Sequence, residues 1–563
     1  MKILRLSIVL LLITLCNHEI LAQKADNGII KTQITVDACV NGGTASGILA
    51  AVAMAREGYS VAVIESTHEI GGLLASGFRM AQDVPYPFHL GGLTGEFYQT
   101  DINFPPLRHK QGASKYSIAA LYDLIEPYKE LVTIITDHRL SSVETENGYI
   151  KSGLFEYAPP DENGVPIPFR LTENLLKVDA KIFIDASYEG DLMAFSGVSY
   201  TVGRESRAKY GESLAGVTGI QKFSGVDPYK IKGKPKSGLL NIIHDDPIGK
   251  EGDSSRFFMA YNFKLSWEDN PTEKYPGIPV TPPENKNEDV YELLDRYKAA
   301  GYTTTWPNEN LKREELMTGA IPGSQVNYPD GDWPTRSKIW QSYIDHVRTL
   351  TDWSGEDVRL LSDNNERTNG WPSALYVRCG RRMLGDYVLK QQDIQLQTDI
   401  KNPVCMGYYM VDIYPNRMGV TKKGELVTEG NVWAMVCPGP YQIPYESIIP
   451  QKREVKNLLV SVCISASHIA YSSIRMESTY MVIGESAGIA AAIALEKDQS
   501  VQDIDRGLLY EKLLKYNQIL EWDGKGYREW RYNFLNNQTH NFPKRWDTHP
   551  EEYTKYPVGE LWK

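Results

Sequence analysis

The segment that constrains this chain most is VDACVNGGTASGILAAVAMAREGYSVAVIES, Val36 to Ser66. It opens on a β-branched apolar run, breaks at Gly42-Gly43, continues in an alanine-rich helical pattern and ends in a second apolar run closed by Glu65. The pattern predicts a strand over 34–40, a tight turn over 41–43, a helix over 44–57 and a strand over 60–65. A dinucleotide-binding turn wants glycine at the bend, glycine where backbone approaches a pyrophosphate, and glycine where helix packs on strand. Here those places hold Gly42, Thr44 and Gly47, with Gly43 beside the substituted middle position. The helix that follows presents its N–H groups and positive end to a phosphate. Glu65, 23 residues after Gly42, stands where an acid accepts hydrogen bonds from ribose hydroxyls.

The same grammar returns twice. KIFIDASYEGDLMAFSG predicts a strand over 180–185, a small-residue turn and a helix, and VKNLLVSVCIS followed by MVIGESAGIAAAIALEKD predicts a late strand and helix. Between them, about 205 to 440, the chain is rich in Pro, Tyr and Trp. The expected fold class is therefore α/β. A Rossmann-like nucleotide domain is split into 34–204 and 441–520, an α+β substrate domain over 205–440 is inserted, and 521–563 is a surface extension. Residues 1–22 have the layout of a secretory signal: Lys2 and Arg5, an apolar run from Leu6 to Leu15, and Ala22 as a small cleavage residue. An exported protein, periplasmic or secreted, is expected, and no later segment is read as a membrane span. The net charge of −11 argues against non-specific nucleic-acid binding. Five cysteines follow residue 22 at wide spacings, with no CxxC and no metal-site pattern, so neither a metal nor an iron–sulfur cluster is expected.

Taken together, GGTASGILAA, IGGLLASGF, KIFIDASYEGDLMAFSG, VGRESRAKYGESLAGV, ALYVRCGRRMLGDYVL, YQIPYESIIP and SASHIAYSSIRMESTYMVIGESAGIAAAIA resemble the FAD-dependent oxidoreductase family with a glutathione-reductase-like FAD domain. More narrowly, they resemble the exported bacterial group sometimes labelled xanthan lyase, distantly similar to heterodisulfide reductase flavoprotein subunits. The resemblance implies FAD as cofactor. It implies that Gly42, Gly43, Thr44 and Gly47 hold the pyrophosphate, that Glu65 holds the adenosine ribose, and that Gly71, Gly72 and Ser76 lie along the FAD. Asp185 and Ala186 would close the strand on the adenosine side. Gly484, Glu485, Ala487 and Gly488 would begin the late helix, with its N-terminus aimed at the flavin. Close packing of two backbones is the other reading of those small residues.

A flavin carries the redox chemistry, and the protein positions substrate and handles protons. His468, with Arg475 seven residues on, is the expected base. ALYVRCGRRMLGDYVLKQQDI is read as a helix, which puts Arg378 and Arg382 on one face with Arg381 close by, a clamp for an anionic substrate. Resembling sequences carry Asp-x-His where this chain has Asp412-Ile413-Tyr414, which places those residues' roles in question. No second glycine-rich fingerprint occurs, so oxidation of a small polar organic molecule is expected over reduction by NADH. Oxygen, a quinone or a carrier protein would take the electrons. The aromatics Trp306, Trp333, Trp340, Trp353, Trp371 and Tyr376 suit either core packing or stacking on a sugar or sugar acid. A flavin-dependent isomerase or lyase, and a glycan-binding protein on a flavoprotein scaffold, remain open alternatives at this point.

Overall fold

The computed structural model describes residues 28–77, 89–100, 114–307, 316–434 and 436–522. The expected signal segment and nearly all of the expected extension lie outside the described residues.

A seven-stranded sheet organises the nucleotide half. Its parallel core runs Val132–Ile135, Val61–Ile64, Ile29–Asn41, Asn174–Asp185. The long strand Asn174–Asp185 is shared. Along one edge it pairs with Ile29–Asn41. On the other, Leu175–Asp179 pair antiparallel with Tyr149–Tyr157, and Phe183–Asp185 pair parallel with Leu458–Val460. Phe183–Asp185 are thus flanked on both sides, and the late part of the chain enters the sheet there. The expected split domain takes physical form at this point, because strands buried on both faces read as continuous apolar runs wherever they fall in sequence.

Helix Ala45–Arg56 lies on this sheet, capped by the Thr44 hydroxyl, which accepts from the Gly47 amide at 3.2 Å. Helix Glu477–Glu496 packs directly on it. A Cβ at Gly484 would run into the Ser46 carbonyl, and one at Gly488 into the Ala50 carbonyl. Such contacts explain why small residues recur along both helices. The Ser46 hydroxyl donates to the Tyr480 carbonyl at 2.7 Å and tightens the crossing. The expectation of no spanning-length apolar segment needs correction here. Glu477–Glu496 is long and apolar enough, but 94% of its apolar window is buried inside the protein, as in a core helix.

The inserted portion is α+β. Helices Glu288–Ala299 and Trp333–Ser354 accompany short antiparallel ladders, the largest built from Gln221–Lys222, Leu426–Glu429 and Arg417–Val420. The helix expected over ALYVRCGRRMLGDYVLKQQDI does not form. Residues 374–388 form bends and irregular backbone rather than a helix, Arg382–Met383 pair with Tyr200–Thr201, and only Gln391–Ile394 are helical. Long-range hydrogen bonds replace the helical ladder: the Met383 amide donates to the Cys463 carbonyl and the Leu389 amide to the Ser465 carbonyl.

Candidate active site

A cleft opens at the carboxyl end of the parallel strands, where open α/β sheets place their ligands. One wall carries Asn41, Gly42, Thr44, Glu65, Ser66, Thr67 and Gly72. The lining also includes His138, Arg139, Leu140, Tyr188, Glu189, Tyr328 and Trp333.

The turn is locked from three sides. Gly42 sits at φ +103°, and a Cβ there would lie 2.7 Å from the Ser187 nitrogen. The Thr44 hydroxyl donates to the Ala186 carbonyl at 2.9 Å, and the Gly71 amide donates to the Gly43 carbonyl at 2.7 Å. The buried Glu65 carboxylate accepts from the Gly43 amide at 2.7 Å and from the Thr67 amide at 2.8 Å. Burial raises its pKa, while the Thr67 and Gly43 contacts oppose the rise. The Ser66 hydroxyl also donates to Oε1 at 3.4 Å, whereas Oε2 keeps a second lone pair, so Glu65 can brace the turn and still accept from a ribose. Thr44, at the place of the middle glycine, therefore serves the structure directly, capping the helix and tying the turn to Ala186. Asp185 turns away from the cleft. It accepts from the Ser187 hydroxyl at 2.7 Å and from the Met193 amide at 2.8 Å, which shapes the turn after the strand.

Past Gly72 the walls become polar and buried. The Tyr188 hydroxyl accepts from the Leu73 amide at 2.9 Å and donates to Glu477 at 2.9 Å. Glu477 opens the late helix, so that helix starts seven residues before the expected Gly484. Gly484, Ala487 and Gly488 lie mid-helix against Ala45–Arg56. Glu485 is fully engaged by Arg56 at 2.7 Å, the Leu93 amide at 2.8 Å and Gln518 at 3.0 Å. These four residues join helices rather than begin one. Burial lifts Glu477 to about 8, with Tyr188 its hydrogen-bond partner, so the carboxyl is protonated at neutral pH.

The three arginines also part company. Arg381 binds Asp191 at 2.6 Å and Asp330 at 2.8 Å. Arg382 binds Glu205 at 2.6 Å and the Ala466 carbonyl at 3.0 Å. Both are spent in buried ion pairs, with partners that Arg378 does not share. Asp191 is held further by Arg336 through two bonds of 2.5 and 2.7 Å. Burial alone would raise its pKa, but Arg336 and Arg381 outweigh that and hold it well below the carboxylate range. Arg378 goes elsewhere. It lies between the rings of Tyr376 and Tyr414 and joins Arg475, which pairs with Asp412 at 3.2 Å and donates to the Tyr376 hydroxyl. His468, one residue after the N-cap Ser467, is 1% exposed, and neither ring nitrogen has a partner among the described residues. Burial first, then Arg382, Arg204 and Arg475, drive its pKa well below the ordinary histidine value.

Sequence reasoning missed Tyr188 and Glu477, although both stand in quoted stretches, SYEGD and RMESTY. Of the aromatics, Trp333 and Trp340 reach the cleft, while Trp340 and Trp371 also pack on Phe263.

The FAD dependent oxidoreductase family matches residues 37–515, and this chain belongs to it: the protein is an FAD-dependent oxidoreductase. No curated protein matches the chain. Among solved structures, a geranylgeranyl bacteriochlorophyll reductase-like protein from Thermoplasma acidophilum is similar at 10% identity over 91% of this chain and 88% of its own, with a TM-score of 0.30. The L-proline dehydrogenase from P. horikoshii is similar at 12% identity over 86% of this chain and 59% of its own, TM-score 0.26. OxyS anhydrotetracycline hydroxylase from Streptomyces rimosus is similar at 13% identity over 31% of this chain and 38% of its own, TM-score 0.21. This chain thus spans less than two thirds of the length of the last two.

The residues present fit FAD. The glycine turn leaves room for backbone to approach a pyrophosphate. Beyond it Ser76 Oγ, Thr479 Oγ1, Glu477 Oε2 and Arg475 Nε are buried without partners among the described residues, which a polar ring system would relieve. Replacing Glu65 by alanine removes a ribose acceptor and frees the Gly43 amide. FAD affinity, measured by quenching of FAD fluorescence on binding, is expected to fall roughly 10- to 100-fold. An unchanged Kd would remove Glu65 from the site.

Proposed function

We propose that this chain oxidises a small polar organic substrate, with His468 as base and Arg378 and Arg475 as the substrate's charged contacts. Bound FAD supplies a two-electron acceptor. The substrate's C–H hydrogen leaves with its electron pair, and its O–H proton leaves to His468, so an alcohol carbon becomes a carbonyl. Oxygen, a quinone or a carrier protein then removes the two electrons. The observation that carries this reading is the buried, neutral His468, with both ring nitrogens unpartnered among the described residues and Arg475 within electrostatic reach. A neutral imidazole with a free nitrogen is ready to accept a proton. The layout of residues 1–22 supports work outside the cytoplasm, where no NADH pool feeds a reductive cycle.

His468→Ala is expected to retain FAD and lose turnover roughly 10²- to 10⁴-fold in kcat. Because the folded pKa of His468 is depressed, the wild-type rate should hold its plateau as pH falls through ~6.5, the ordinary histidine value. Unchanged kcat in the variant, or an acid limb centred at that ordinary value, would remove His468 as the base.

A further inference from the structure

Arg378 is a buried cation that makes no ion pair among the described residues. It is 2% exposed. Its guanidinium carbon lies 4.0 Å from the Tyr376 ring centroid and 3.7 Å from that of Tyr414, so it packs against two aromatic rings. Nη2 donates to the Asn262 side-chain oxygen at 2.9 Å, Nε has no partner, and among the described residues Arg378 makes no ion pair. Its neighbour Arg475 is 3% exposed and has one carboxylate, Asp412, at 3.2 Å. The Arg475 Nη2 also donates to the Asp412 carbonyl at 2.8 Å, and its Nε too is unpartnered. Among the described residues, two guanidinium ions therefore share one carboxylate, and a single positive charge is left over. A buried unpaired cation is strongly unfavourable. Burial depresses Arg378 accordingly, with Tyr376 and Tyr414 only partly restoring it.

We infer that the substrate carries a carboxylate, bound in the plane of the Arg378 guanidinium with Arg475 as its second cation. The inference rests on the proposed oxidation of a small organic donor and narrows its substrate class. The two rings crowd Arg378, and Nε, at one end of its donor fork, is without a partner among the described residues. A planar two-oxygen anion matches that fork. The leftover charge is one, which suits a monoanion; a phosphate dianion would overshoot it. A neutral sugar would leave the charge unanswered, whereas a sugar acid or another hydroxy acid answers it.

The test uses the FAD-loaded full chain and reads binding apart from turnover. Lactate and its uncharged counterpart lactamide are titrated while the flavin absorbance spectrum is followed. Lactate is expected to perturb the spectrum saturably, with lactamide roughly 100-fold weaker or silent. Arg378→Gln should lose roughly 100-fold in lactate affinity, and Arg378→Lys should recover part of it. Because Arg378→Gln removes an unanswered charge, its ligand-free Tm should stay equal or rise. A role in packing alone predicts a lower Tm. Equal binding of lactate and lactamide, or unchanged lactate affinity in Arg378→Gln, overturns the inference. If Arg378→Gln fails to fold, the packing role is favoured and the inference falls unless Arg378→Lys and the lactate–lactamide contrast both behave as stated. Arg378-dependent lactate binding with no donor able to reduce the flavin would sink the oxidation and leave the carboxylate site standing. Flavin reduction by uncharged donors, indifferent to Arg378, would do the reverse.

Discussion

Gly47→Ala is expected to yield a protein that purifies without flavin. The new Cβ would overlap the Gly42 carbonyl oxygen and lie 3.1 Å from both the Ala186 Cβ and the Val40 Cγ1. All three neighbours are backbone or branch close to backbone, so none can swing away. Relief must come from moving the turn itself, which is also fixed by Thr44 on Ala186 and by Glu65 on Gly43. Overpacking of this kind is unfavourable by roughly 1–3 kcal/mol in an ordinary core. Here the displaced atoms are the ones proposed to cradle the pyrophosphate, so FAD affinity should fall by at least ~100-fold. Gly58→Ala is the control. Gly58 also has positive φ, +91°, but a Cβ there meets nothing within 4 Å, so only backbone strain of about 1 kcal/mol is added. Flavin content per chain, read from absorbance after gel filtration, checks both. A yellow Gly47→Ala protein with ordinary affinity would mean that the turn is softer than described.

Glu477→Gln is expected to flatten the pH dependence of stability in the FAD-free protein. The Glu477 side chain is buried, and its folded pKa is raised to about 8 against an ordinary glutamate value near 4.5. For a group raised on folding, the contribution is complete below the unfolded pKa and is lost as pH climbs to the folded one. The wild-type protein should therefore lose stability from pH ~4.5 to ~8, by on the order of 2–4 kcal/mol from this residue. Glu485, raised to about 7 by burial against the pull of Arg56, adds to the same slope. Glutamine keeps the shape and the bond to Tyr188 but cannot ionise. Tm measured across that window should decline less steeply in the variant. Superimposable curves would show that Glu477 is ionised in the folded state.

Much of the nucleotide half was legible because its elements obey local rules. The strand ending at Asn41, the glycine turn and the helix capped by Thr44 are set by β-branching, glycine and small-residue packing within about thirty residues. The late helix announced itself by its small residues, but those mark where it crosses Ala45–Arg56, not where it starts. Its true first turn, ESTY, is rich in residues with no helical bias, so the start at Glu477 went unread. The arginine segment failed for a different reason. Its spacing of charged and aliphatic residues mimics a helical face, yet Gly380 and Gly385 weaken a helix, and the segment gains its hydrogen bonds from Ser199, Cys463 and Ser465 instead. Partners such as Asp191 for Arg381, 190 residues apart, or Glu477 for Tyr188, 289 apart, leave no local trace. What the site does with charge depends on those distant pairs: Arg378 stands out only once Arg381 and Arg382 are seen to be occupied.

The decisive experiment is anaerobic mixing of the FAD-loaded protein with small hydroxy acids, sugar acids, sugars and NADH, while flavin absorbance is followed. At least one organic donor should bleach the flavin. The bleaching should vanish in His468→Ala although the flavin stays bound, and NADH should do nothing. Rapid bleaching by NADH with no response to any organic donor would contradict the proposed oxidation.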